Sequence, residues 1–369
     1  MKGFLRTMAF ALLMLVALMT IVHRDSSGWI AFMSFRDGDA AVYLMSEQGG
    51  AARKISPDGI CGYEPQWSSD GQWITFIDFC VGSSDLYRIR PSGGSFSVVA
   101  SEPEFIQSGH WSPDGQRLLL EADNYDVYVV NADGRMLRHM TTETFFPEWS
   151  PDSQWIYTQP QLNEDSGFNR IHAASGRIEF LLPPFAAVND WDWSPDGESM
   201  VISLANTESL GNGLFLMEPD GSNIRMIAEA DTPEQFFEVL WGDEWIILIA
   251  GEGNDNRHLY RIRPDGSGMQ RLSQRAGAVY NMQWSSDGEW VIYRGNYDGQ
   301  EHIYRLRVSE SESGSGSSEE NLTASNDASN TFNSDASVAP INGRAWRPGW
   351  LIVVAVGMLV VSVLWRLRS

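Results

Sequence analysis

Side chains able to do chemistry are spread thinly along this 369-residue chain. The six histidines are His23, His110, His139, His172, His258 and His302, and none pairs with another at a ligand spacing such as His-Glu-x-x-His. No Gly-x-Ser-x-Gly turn is present to raise a serine nucleophile. Carboxylates do recur in a pattern, because Asp70, Asp114, Asp152, Asp196 and Asp287 occupy one place in a repeated phrase. Even spacing invites a calcium reading, yet a turn phrase points to capping of backbone N–H groups. The oxygen-rich loops at 123–126 and 253–256 lack the EF-hand spacing. The residues thus imply no catalytic group, no metal and no cofactor.

The phrase itself is the organising element. Trp193-Ser194-Pro195-Asp196-Gly197 has near-copies beginning at Trp67, Trp111, Trp149 and Trp284, and a shortened copy beginning at Trp241. These tryptophans fall 44, 38, 44, 48 and 43 residues apart, a period that signals a repeat array. Pro presets a turn, Asp bonds back to the backbone, and Gly takes the left-handed conformation. Trp lies on the strand entering the turn and an alternating apolar strand leaves it. A third strand follows, as in Leu86-Tyr87-Arg88-Ile89-Arg90, and a Gly turn leads to a fourth.

Four short antiparallel strands per repeat make the blade of a β-propeller. The fold class is therefore all-β. Seven second strands are legible, so seven blades are expected, with six as the alternative. The degraded phrase at 331–336, with Phe332 for Trp and Ala336 for Gly, is read as supplying the first strand missing from the first repeat.

Cys61 and Cys80 flank one hairpin. With Trp67 opposite Ile74, the two cysteines face each other across the strands, so a disulfide is expected, with two buried thiols as the alternative. The third-strand arginines Arg88, Arg90, Arg261, Arg263, Arg305 and Arg307 share one sheet face, read as solvated or salt-bridged.

Composition bounds the partners. A net charge of -22 and the lack of any basic stretch exclude nucleic acid. The N-terminal segment at 1–23 has Lys2 and Arg6 before an apolar run, as a signal anchor or signal peptide does. Residues 349–365 read as a transmembrane helix with Trp350 and Trp365 at its boundaries and a basic tail at 366–369. Both termini are then cytoplasmic, and the propeller at 28–338 is extracytoplasmic at the cell membrane. A flexible Ser/Glu/Gly-rich insertion occupies 309–320 and a juxtamembrane linker 339–348.

Aromatic residues precede the repeated tryptophans: Tyr63, Phe105, Phe145, Phe146, Phe185, Phe236, Phe237 and Tyr280. In a propeller these connectors converge on one face, giving a candidate binding surface for a peptide, a glycan or an envelope or surface protein.

These phrases, with Pro65 and Pro147 before their tryptophans, resemble the TolB-like, WD-repeat-like propellers across residues 28–308. The resemblance implies the fold strongly and the function broadly, since such propellers serve as scaffolds, lyases and peptidase-associated domains. A membrane-anchored binding scaffold that is not an enzyme is the expectation. The alternatives are a metal-dependent lyase or hydrolase in the channel, using His110 or His302, and a sensor ectodomain.

Overall fold

The computed structural model describes residues 23–321, apart from 25–28, 36, 47–50, 81–83, 104, 161–166, 183–185, 206–209, 231–234, 254–255, 286–287, 298–300 and 309–318. These residues form seven four-stranded antiparallel sheets, and the only helix among them is a single turn at Asp123–Tyr125. They divide into two compact units, one holding sheets one to four and the other sheets five to seven.

In the first unit, sheet one runs His23–Arg24, Trp29–Ser34, Ala41–Ser46 and Arg53–Lys54. Sheet two is Gly62–Trp67, Ile74–Asp78, Asp85–Ile89 and Ser97–Ala100. Sheet three is Ser108–Trp111, Arg117–Ala122, Asp126–Asn131 and Arg138–Thr141, and sheet four Thr144–Trp149, Trp155–Pro160, Asn169–His172 and Ile178–Phe180. The second unit has Ala187–Trp193, Met200–Ala205, Gly213–Met217 and Arg225–Glu229 in sheet five. Sheet six holds Gln235–Trp241, Ile246–Glu252, Asn256–Ile262 and Gln270–Arg271; sheet seven holds Ala278–Trp284, Trp290–Asn296, Glu301–Arg307 and Glu319–Asn321. Every sheet is built from strands consecutive in sequence.

One expectation is corrected here. The first strand of sheet one comes from the N-terminal side, where His23 and Arg24 pair with Ala31 and Ile30. It was not legible because it carries no Trp phrase and adjoins an apolar run. The 331–336 segment expected in that place lies outside the described residues, as do the expected membrane segments short of His23 and at 349–365. Among the described residues no helix is long and apolar enough to cross a membrane.

The phrase works as a small hydrogen-bond device. Ser68 Oγ donates to Asp70 Oδ1 (2.6 Å), Gln72 N donates to the same oxygen (2.9 Å), and Trp73 N donates to Ser68 Oγ (2.9 Å). The same three bonds recur at Asp114, Asp152 and Asp196. The Ser194 hydroxyl and the Glu198 N–H hold the Asp196 carboxyl below its ordinary range. Gly71, Gly115 and Gly197 close these turns at φ of 66, 69 and 74°. Ser153 fills that position at φ 61°, and its hydroxyl accepts the Asp114 N–H of the preceding repeat (3.0 Å). The shortened copy closes as Gly242 N to Trp245 O (2.8 Å).

The expected salt-bridged face is found in part, with Arg263 paired to Glu244 (3.4 Å) and Arg307 to Glu289 (2.9 Å), but the arginines also stack. Arg88 and Arg90 lie 4.4 and 4.0 Å from the Trp73 ring centroid, and Arg261 and Arg263 lie 4.3 and 4.2 Å from that of Trp245. Arg305 and Arg307 stand over Trp290 in the same way. Several guanidiniums also reach one repeat onward to a backbone carbonyl: Arg53 to Pro91, Arg88 to Ala132, Arg138 to Ala174, Arg225 to Pro264 and Arg261 to Val308. A planar cation that stacks and donates sideways does what lysine cannot, which accounts for arginine at these positions.

Candidate functional site

The polar side chains brought together by the fold sit on the first strands, three and one residues before Trp67, Trp111, Trp193 and Trp284, and three before Trp241. Five of the seven first strands carry a bulge just upstream of the Trp, seen as a register shift at 63/66, 145/148, 188/190, 236/238 and 280/283. A bulge re-aims side chains and is common beside functional sites.

In the first unit, Glu64 occupies the bulge at φ 48°, a conformation that non-glycine residues rarely adopt. Gln66 Nε2 bonds His110 Nδ1 (3.0 Å), and His110 Nε2 lies 3.1 Å from Ser108 Oγ and 3.6 Å from Glu121 Oε1. Ser108 Oγ donates to Glu121 Oε1 (3.0 Å). With the amide donating to Nδ1, the ring proton sits on Nε2 and is given to Ser108 Oγ, whose own hydrogen goes to the Glu121 carboxylate. That relay orients the Glu121 carboxylate and makes His110 a donor to Ser108 instead of its base. No hydrogen bond or ion pair to the Glu64 carboxylate occurs among the described residues. Burial, opposed by His110 and aided by Glu121, pushes its carboxyl up to about 7.

In the second unit the same positions serve as acceptors. Asp190 Oδ2 accepts Val239 N (2.9 Å), and Asp192 accepts Trp241 N (2.7 Å) and Trp193 N (2.8 Å). Glu238 accepts Asn281 N (2.8 Å) and Met282 N (3.3 Å), and burial beside Asp190 pushes its carboxyl up to about 7. Each carboxylate thus caps the first strand of the following sheet, whose N–H groups would otherwise be edge donors. Asn281 and Gln283 complete the row, both buried.

The aromatic residues are divided. Tyr63 and Phe236 are 7% and 5% exposed, so they pack the interior and offer no open surface. Tyr63 meets Phe35 and Phe79 edge-on. Phe105, Phe145, Phe237 and Tyr280 are partly exposed. Phe145 meets Tyr125 edge-on, Phe237 lies under the Arg257 guanidinium (3.7 Å to the centroid), and Tyr280 under that of Arg294 (5.3 Å). Phe185 and the Phe146 side chain lie outside the described residues. The repeated Trp67, Trp111, Trp149, Trp193 and Trp241 are buried, with Trp284 partly so. Trp111 Nε1 donates to Thr75 Oγ1 (3.1 Å) and Trp149 Nε1 to His110 O (3.2 Å), each tying its sheet to the one before. Asp287 lies outside the described residues.

Cys61 and Cys80 are joined, with a Cα–Cα distance of 5.3 Å. The bulge places Tyr63 opposite Ile77, one residue off the register set by Trp67 and Ile74, and the bridge closes beyond the strand ends despite it. The remaining described histidine side chains are dispersed, His139 against Tyr128, His172 on Ser175 and His258 on Ser273, while the side chains of His23 and His302 lie outside the described residues.

Comparison with known proteins bears on the fold. Residues 60–236 match the family model described as the TolB beta propeller domain. An uncharacterized protein of Agrobacterium fabrum is 27% identical over 183 residues, which are 48% of this chain and 58% of that protein. Prolyl endopeptidases analysed for inter-domain dynamics align with a TM-score of 0.61 at 13% identity, over 84% of this chain and 51% of theirs. The propeller domain of the trilobed protease of Pyrococcus furiosus, described as having an open velcro topology, aligns at 0.56 and 14% identity over 84% of this chain and 99% of its own. The chain spans less than two thirds of the Agrobacterium protein and of the endopeptidases.

Proposed function

We propose, on the premise that this chain is a TolB-like β-propeller, that it is a binding module without catalytic chemistry, and that its ligand is a basic segment of an envelope or surface protein. The seven sheets are read as the seven blades of one propeller, held outside the cytoplasm by the apolar segments at 1–23 and 349–365. The observation that carries the reading is Glu64, a carboxylate in a strained bulge with no partner among the described residues and with Glu121 close enough to raise its pKa. Two carboxylates held near each other, with Glu121 oriented by Ser108, suit an arriving ammonium or guanidinium better than a neutral glycan. The net charge of -22 favours the same partner through steering. The partly exposed rings of Phe105 and Phe145 are what remains of the aromatic surface in the first unit.

A catalytic role finds less support. Ser108 is turned to Glu121, and His110 donates where a general base must accept. The likeness to prolyl endopeptidases extends to the fold alone.

A carbodiimide, which joins a carboxylate directly to a lysine in contact with it, tests this. In membranes carrying the full chain, Glu64 or Glu121 is expected to be linked to a partner lysine, and the links are expected to vanish in a Glu64→Gln/Glu121→Gln variant. Links confined to other acids would overturn the proposal.

A further inference from the structure

One end of the second sheet gathers a donor set that the binding site does not use. Cys61, Asp78 and Cys80 hold their ligand atoms within 4.8 Å of one another, and no other such group of three occurs among the described residues. Asp78 is 3% exposed, and its Oδ1 accepts the N–H of Cys61 (3.1 Å) and of Cys80 (3.0 Å). No ion pair to this buried carboxylate occurs among the described residues. Both backbone donors go to one oxygen, so the carboxylate keeps acceptor capacity beyond them, and a buried carboxylate gains most from a cation.

We propose that the reduced form of this hairpin end is a zinc site with two cysteine thiolates and the Asp78 carboxylate as ligands, and with water in the fourth position. Sulfur and carboxylate donors in a tetrahedral set suit zinc, and the 5.3 Å Cα separation serves a shared metal as it serves a bridge. The chemistry balances with a dithiol reductant. The disulfide takes up two electrons and two protons to give two thiols, while the reductant closes a disulfide of its own. Zinc then displaces the two thiol protons. Bridge and metal are alternative states of the same three residues, and exposed Cys80 is where a reductant gains access. The inference stands apart from the basic-ligand reading, which concerns Glu64 and Glu121.

The test uses the full chain reduced with a phosphine and titrated anaerobically with cobalt(II), then zinc. One equivalent of cobalt should produce a thiolate charge-transfer band that zinc abolishes. The oxidised protein and Cys61→Ser should show no band. Asp78→Asn keeps an acceptor for both N–H groups and so keeps the local fold, yet should bind roughly tenfold or more weakly. A reduced protein with native circular dichroism and no band would overturn the proposal, as would an Asp78→Asn variant matching the wild type in affinity and spectrum. Should the reduced chain lose its fold without metal, reduction in the presence of zinc is expected to preserve it, and unfolding there would equally refute the site.

Discussion

Replacing Glu64 by Gln should change how stability depends on pH more than it changes stability itself. The carboxyl ordinarily titrates near 4.5 and is pushed up to about 7 in the folded chain, chiefly by burial. A group whose proton is held more tightly in the folded state favours folding at low pH. That contribution is complete below about 4.5 and is lost as pH rises through about 7. The full difference corresponds to about 3 kcal/mol. Glu64 keeps some accessible surface, so water screens part of this, and we expect about 1–2 kcal/mol. Gln removes the titration and leaves the bulge. Urea unfolding of the two proteins should therefore coincide near pH 4 and separate by pH 8, with the variant the more stable by that amount. Glu238 titrates in the same direction in both proteins and cancels in the comparison. Curves that stay parallel from pH 4 to 8 would show that Glu64 is solvated like a surface acid, and the argument from its raised pKa would fail.

Asp192→Ala leaves the N–H groups of Trp193 and Trp241 without their charged acceptor and should cost about 2–3 kcal/mol in chemical denaturation, with Asp192→Asn intermediate. At Gly242 an added Cβ would lie 2.4 Å from the Trp284 ring, so Gly242→Ala should destabilise by about 1–3 kcal/mol and shift tryptophan fluorescence. Arg88→Lys keeps the charge but loses both the Trp73 stack and the Ala132 carbonyl, and thermal unfolding should register a loss of about 1 kcal/mol. Ser153→Gly eases the left-handed backbone yet deletes the hydroxyl that accepts Asp114 N–H; near-neutral stability is expected, whereas a gain above about 1 kcal/mol would mean that bond contributes nothing.

What could be read from the chain follows the range of the interactions. The Trp-Ser-x-Asp-Gly turn is closed by bonds within six residues, so its place was legible, and with it second strands such as Arg117–Ala122. The bulge at Glu64 and Pro65 was not, because it answers to the next sheet, and it shifts the register upstream by one residue. Arginine stacking depends on neighbouring strands within a sheet and on carbonyls one repeat away, so alternation along the strand suggested only a shared face. The candidate site was missed for a similar reason. Attention to the aromatic residues preceding Trp passed over the polar residues three and one before it: Glu64 and Gln66, Ser108 and His110, Asp190 and Asp192, Asn281 and Gln283. Polar residues at two fixed places in otherwise apolar first strands were the available signal.

The most direct measurement is the affinity of the full chain for a lysine/arginine-rich peptide, taken by calorimetry beside a neutral and an acidic peptide of equal length. The account predicts binding of the basic peptide alone, weakened by salt and weakened roughly tenfold, about 1.4 kcal/mol, in the Glu64→Gln/Glu121→Gln variant. Equal affinity for the wild type and that variant, or binding of the neutral peptide in preference, would contradict it.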